Sequence, residues 1–168
     1  MNKIYPIVIL GILLGIYSCG TVSFNMSGAS VDQAKTCQVN YFENRAEIVN
    51  PRLSSLVTDA LKDKIQSDTR LTMVNNNADL LFEGEITAYA VTPQAVSAQG
   101  TASKDRFTIT VKVKFTNELK PENSYEKSFS RFYEYSSTSS FSAQENTGVE
   151  EILKELMDDI FNAAFSIW

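Results

Sequence analysis

The chain has 168 residues, 20 of them acidic and 15 basic, for a net charge of −5, and it contains no histidine. Without histidine it lacks the commonest general base, the usual triad base and the commonest transition-metal ligand, so triad hydrolysis and metal catalysis lose their ordinary parts and no metal site or catalytic residue is expected. The acidic balance argues against a nonspecific nucleic-acid partner, and the absence of a phosphate loop or dinucleotide fingerprint leaves no cofactor to expect.

Lys3 supplies a charge before an almost wholly apolar stretch, residues 4–16, centred on Leu10, Ile12, Leu13 and Leu14. Pro6 and Gly11 interrupt it, and it is shorter than the roughly 20 residues of a spanning helix, so it has the form of a signal peptide. The sequence Ile16-Tyr17-Ser18-Cys19 that follows resembles the lipobox of bacterial lipoproteins. That resemblance makes Cys19 the lipidation site and implies an N-terminal lipid anchor, palmitate-type acylation included, since two or more chains hold a protein stably in a bilayer. No aspartate or acidic cluster follows Cys19, and by analogy with lipoprotein sorting the expected location is the periplasmic leaflet of the outer membrane.

The expected boundaries are a signal peptide over 1–18, a lipidated N-terminus and tether over 19–35, and one domain over 36–168. Removing 18 of 168 residues leaves 150, enough for a single domain that buries about 70% of its unfolded surface. Residues 20–32, rich in Ser, Gly, Asn and Thr, would reach up to about 45 Å when extended.

Residues 36–42 alternate Cys37, Val39 and Tyr41 on one side, which predicts a strand with Cys37 buried rather than reactive. Asn50-Pro51 predicts an N-cap and a first helical proline. Leu53, Leu56, Val57, Ala60, Leu61 and Ile65 then form the apolar face of a helix ending near Ser67. A short strand over 71–74 and an asparagine turn over 75–77 lead into a longer strand with Leu80, Phe82, Gly84, Ile86, Ala88 and Ala90 on one face. Residues 93–106 lack either period and are expected to form a long polar loop. Phe107, Ile109, Val111, Val113 and Phe115 alternate with Thr108, Thr110, Lys112, Lys114 and Thr116, a strand with one buried and one wet face.

After a turn over 118–123, residues 125–135 form a last strand with aromatic residues on both faces. A final helix carries the stripe Val149, Ile152, Leu153, Leu156, Met157, Ile160, Phe161, Ala164 and Phe165; Thr147 with Glu150 makes one capping box and Ser142 with Glu145 an earlier one. The carboxylate pairs Glu150-Glu151 and Asp158-Asp159 face away from that stripe, as a solvated helix surface does. The element order suits an α+β fold: a two-layer sandwich of a mixed four-stranded sheet with two helices packed on one face.

Taken in order, the lipobox, Val39-Asn40-Tyr41-Phe42, Asn44-Arg45-Ala46, Asn50-Pro51, residues 80–89 and 106–117, and Ser128-Phe129-Ser130-Arg131 resemble the LptE family of LPS-assembly lipoproteins in its Bacteroidetes-type form. The resemblance covers nearly all of the mature chain and rests on order and spacing. It implies a non-enzymatic protein that plugs and helps assemble an LptD-type outer-membrane β-barrel and assists insertion of lipopolysaccharide into the outer leaflet. Its partners would be the barrel and the lipopolysaccharide itself. Lys104, Arg106, Lys112, Lys114 and Lys120 could attract phosphorylated headgroups or meet the barrel, or could belong to an ordinary solvated strand face, and both readings stand. A periplasmic adaptor or pilotin that binds a protein partner without lipid transport is the alternative function.

Overall fold

The computed structural model describes residues 33–48, 50–94 and 103–165. The signal segment, Cys19 and the tether over 20–32 lie outside the described residues, as do residues 95–102 of the segment 93–106 expected to form a loop. The described chain runs β1 (Thr36–Val39), β2 (Glu43–Asn44), α1 (Leu53–Asp68), β3 (Thr72–Met73), β4 (Leu80–Pro93), β5 (Lys104–Asn117), a 3-10 turn (Pro121–Asn123), β6 (Tyr125–Ser136) and α2 (Phe141–Phe165).

The fold is α+β, and its sheet has six strands rather than the four expected. The order is β3-β1-β4-β5-β6, with β2 also paired to β4. β1 runs parallel to β3 and β4, and β2 parallel to β4, whereas β4, β5 and β6 form an antiparallel meander. β2, two residues long, is too short to show a period, whereas β3, also two residues long, falls within the short strand expected over 71–74. β2 pairs with β4, and β3 with the outer edge of β1.

Alternation along β5 determines the layering. Phe107, Ile109, Val111, Val113 and Phe115 are all but fully buried. Phe165 of α2 packs its ring against Phe82 and Phe115, and α1 reaches the same side, where the Phe42 backbone N–H donates to Thr58 Oγ1 at 3.1 Å. Lys64 of α1 bridges to Asp158 of α2 at 2.6 Å and ties the two helices together. Asp159 of the neighbouring position accepts two hydrogen bonds from Arg131 of β6, at 2.6 and 2.7 Å. Glu150 and Glu151 are solvent-exposed, so of the two carboxylate pairs only Asp158-Asp159 is used in tertiary contacts.

β4 departs from strict alternation. Its pairing with β5 shifts register between Ile86 and Ala88, and the extra residue, Thr87, forms a bulge. Beyond it the faces exchange: Tyr89 turns inward and is buried, while Ala88 and Ala90, expected on the buried face, lie opposite Thr110 and Thr108 on the open one. The inward Tyr89 hydroxyl donates to Glu145 of α2, whose same oxygen accepts from Asn50 Nδ2 at 3.0 Å. Burial, then the neighbouring carboxylate, pushes the Tyr89 hydroxyl up to about 12.

The helix starts also differ. Asn50 does not cap α1: Pro51 and Arg52 make a turn, the Asn50 side chain accepts the Arg52 N–H at 3.0 Å, and the helix begins at Leu53. α2 begins at Phe141, ahead of both capping boxes, because the Phe141 ring docks against Tyr89, Phe107 and Tyr135. Cys37 is fully buried in β1, and burial raises its thiol to about 12, which makes it a core residue rather than a nucleophile.

Gly84 lies on the inner face under the Phe42 ring. A Cβ there would meet both that ring and the Lys112 carbonyl oxygen at 2.4 Å, so only glycine lets Phe42 close over the sheet. Two predictions test the face assignment together. Val111→Asp buries an unpaired carboxylate and should cost several kcal/mol, whereas Thr110→Asp on the open face should cost about 1 kcal/mol or less. Equal thermal melts for the two variants would show the faces to be reversed.

Candidate functional site

The helices cover one side of the sheet and leave the other side of β4, β5 and β6 open. On that side the register places Ala88 and Ala90 beside Thr108 and Thr110, and these beside Ser130 and Phe132. The result is a central band of small and hydroxyl side chains, with Thr110 Oγ1 bonded to Ser130 Oγ at 2.9 Å. Charged groups sit at both ends of the band.

At one end lie Lys104 and Arg106, expected to close a loop but found in strand β5. Residue 94 donates its N–H to the Lys104 carbonyl at 2.8 Å, and Pro93 and Thr92 pair with Asp105 and Arg106, so the strands run on where the sequence loses its apolar period. Glu134 lies directly opposite Arg106 on β6. It accepts from Arg106 Nη2 at 2.6 Å and Nε at 3.2 Å, and from Lys104 Nζ at 3.4 Å. The Arg106 guanidinium lies 4.0 Å from the centroid of the Phe132 ring, an aromatic side chain left 51% exposed.

At the other end, Lys112 and Lys114 line an open cleft of about 440 Å³ with Tyr41, Arg45, Glu83 and Glu85. Lys112 pairs with Glu126, Lys114 with Glu83 at 3.3 Å, and Arg45 with Glu43 at 2.8 Å and Glu85 at 3.1 Å. Three cations therefore face four carboxylates, and the cleft is nearly neutral overall. Lys120 lies in the turn beyond this end of β5, its backbone N–H donating to Asn117 Oδ1 at 2.8 Å. Six residues separate Arg106 from Lys112, about 20 Å along a strand. The five cations thus form two groups rather than one patch.

Sequence reasoning missed the partners that make these groups: Tyr41, Arg45, Glu83, Glu126, Phe132 and Glu134. Their acidic and aromatic types were visible, but what joins Arg106 to Glu134 is the β5–β6 register, which depends on the length of the turn. Among the described residues no cluster of three or more His, Cys, Asp or Glu side chains is placed to hold a metal ion, and no helix is long and apolar enough to cross a membrane.

Hydrogen bonds from Arg106, with a smaller contribution from Lys104, hold the Glu134 carboxyl below its ordinary value of 4.5; those from Lys112 do the same for Glu126. A carboxylate with a depressed folded pKa contributes stability that is full above the ordinary value and lost as pH falls through the lowered one. Below pH 4.5, therefore, these pairs should open and release their cations. Carbon-13 NMR of the side-chain carboxyls checks this: Arg106→Gln should return the Glu134 midpoint toward 4.5 and leave Glu126 where it was. An unchanged Glu134 midpoint would show that the pair is not formed in solution.

Solved structures with the same architecture come from several bacteria. A minor lipoprotein from Acinetobacter baumannii is 13% identical with a TM-score of 0.52, covering 77% of this chain and 91% of its own. A hypothetical protein from Chlamydia trachomatis is 9% identical with a TM-score of 0.55, covering 80% of this chain and 99% of its own. A protein from Xanthomonas campestris is 8% identical with a TM-score of 0.56, covering 79% of this chain and 85% of its own. At such identities the likeness establishes the fold alone. No curated protein matches the sequence. The family model described as LptE, lipopolysaccharide-assembly, matches residues 34–164, from before the first strand to the end of the last helix, and on that match the chain belongs to the LptE family of lipopolysaccharide-assembly proteins.

Proposed function

We propose that this protein is anchored by lipid on Cys19 to the periplasmic leaflet of the outer membrane, occupies the lumen of an LptD-type β-barrel, helps that barrel assemble and assists insertion of lipopolysaccharide into the outer leaflet. The observation that carries the reading is the family match over the whole described domain. The open sheet face supports it physically. A barrel lumen is largely polar, and a plug needs a rigid body with a polar surface to meet it; the hydroxyl band and its charged ends supply that surface.

Lys104, Arg106, Lys112, Lys114 and Lys120 are the side chains we assign to lipopolysaccharide headgroups or the barrel wall. Carboxylate pairing does not preclude this. Exposed ion pairs contribute only about 0–1 kcal/mol, so a phosphate carrying more charge can take the carboxylate's place at small cost. Arg106 offers two N–H groups in the planar fork that suits a phosphate, and the Phe132 ring below holds that fork in position.

Photocrosslinking tests the reading in the full lipidated protein. Crosslinkers at Lys104, Lys114 and Lys120 should capture a large outer-membrane barrel, whereas one at Leu156, fully buried against the sheet, should capture nothing. Capture of soluble periplasmic proteins alone from all three surface positions would replace the plug with the adaptor or pilotin.

A further inference from the structure

We propose that the groove between α1 and α2, on the side of the molecule away from the open sheet face, is a docking site for a cationic amphipathic helix of a protein partner. The groove is open and encloses about 700 Å³. Its floor is apolar: Leu56, which is 37% exposed, and Ala60 from α1 meet Leu153 and Met157 from α2. A leucine–methionine floor adapts to the side chains of an incoming helix. The rim is acidic. Asp59 and Asp63 lie one helical turn apart on α1 and Glu150 faces them from α2, so that outside the Lys64–Asp158 pair three carboxylates outnumber one cation, Lys154.

Those three carboxylates form no ion pair among the described residues, in contrast to the open sheet face, where Glu83, Glu126 and Glu134 are each matched to a cation. Lys64, at the same groove, is already held by Asp68 at 2.9 Å and Asp158 at 2.6 Å.

The distribution of charge selects the occupant. The two helices carry nine acidic and three basic side chains, a net of −6, against −5 for the whole chain. The acidity of the protein is therefore concentrated on its helical side, and the remainder is close to neutral. A second copy would bring the same negative surface and be repelled, and so would an anionic lipid surface. A helix with leucines on one face and lysines or arginines flanking it satisfies floor and rim together, and its binding should weaken with salt.

The test uses the mature protein and a fluorescein-labelled synthetic helix of about 15 residues with leucine and lysine at amphipathic spacing. Anisotropy should report binding that falls at least about tenfold in about 0.5 M NaCl, and the NMR shift changes should centre on Leu56, Ala60, Leu153 and Met157. Asp59→Lys with Asp63→Lys should weaken binding about tenfold or more, whereas Glu118→Lys with Glu122→Lys, an equal charge change at the β5–β6 turn, should change it less than about threefold. Leu56→Asn, which leaves the charge unaltered, should also weaken it. Absence of peptide binding, equal loss in the two charge-reversed proteins, or shift changes centred on the sheet face would overturn the proposal. So would capture of vesicles containing anionic lipid through this groove. The crosslinking positions on the sheet face read out the barrel separately, so either reading can fail without the other.

Discussion

Seating of the Phe42 ring on Gly84 is the contact on which the layering depends. β1 is only four residues long and leaves the ladder at Val39, yet the chain must cross from the sheet to α1 without opening the core. Phe42 closes that gap from the inner side, and its backbone N–H is held by Thr58 in the middle of α1. A side chain at position 84 would lift the ring, and with it the helix, away from β4 and the Lys112 carbonyl of β5. Beyond this point the long strands need only their own alternation. β5 presents five apolar residues to the helices and only threonine and basic side chains to the other side, so the second face never acquires a cover.

Much of this was legible from residue pattern. Strand β5, the apolar stripe of α2, the burial of Cys37 and the two-layer class follow from periods of two and of 3.6 that no tertiary contact overrode. What escaped notice did so for physical reasons. A bulge at Thr87 reverses the faces of β4 without altering its composition, so Tyr89 reads as outward when it is inward. β2 is a two-residue bridge to β4, not an autonomous strand. The ends of β4 and β5 persist past their last apolar residues because the pair Arg106–Glu134 and the backbone ladder hold them, and a polar strand end has the same composition as a loop. The start of α2 is set by Phe141 docking among three other rings, a contact between residues distant in sequence, and not by a local cap.

The same limit applies to the candidate site. Five cations were visible, and so was their family context, but their grouping was not: register divides them between two ends of one face and gives most of them a carboxylate. The division leaves the protein with two chemically distinct sides. One is a flat band of alanine, threonine and serine ended by exchangeable ion pairs and an exposed aromatic ring; the other is a helical surface with most of the molecule's excess negative charge. Polar lumens and phosphorylated glycolipids suit the first side, and the second disfavours both the lipid and its own copies.

Hydroxyl-radical footprinting of the protein, alone and in the complex proposed with an outer-membrane barrel, tests most directly whether the open sheet face is the working face. Phe132 and Tyr41 are more than half exposed on that face in the free protein. The account predicts that both rings lose most of their reactivity in the complex. Full reactivity of Phe132 and Tyr41 in a complex that has formed would contradict it, because the face would then be turned to solvent rather than to the barrel or the lipid.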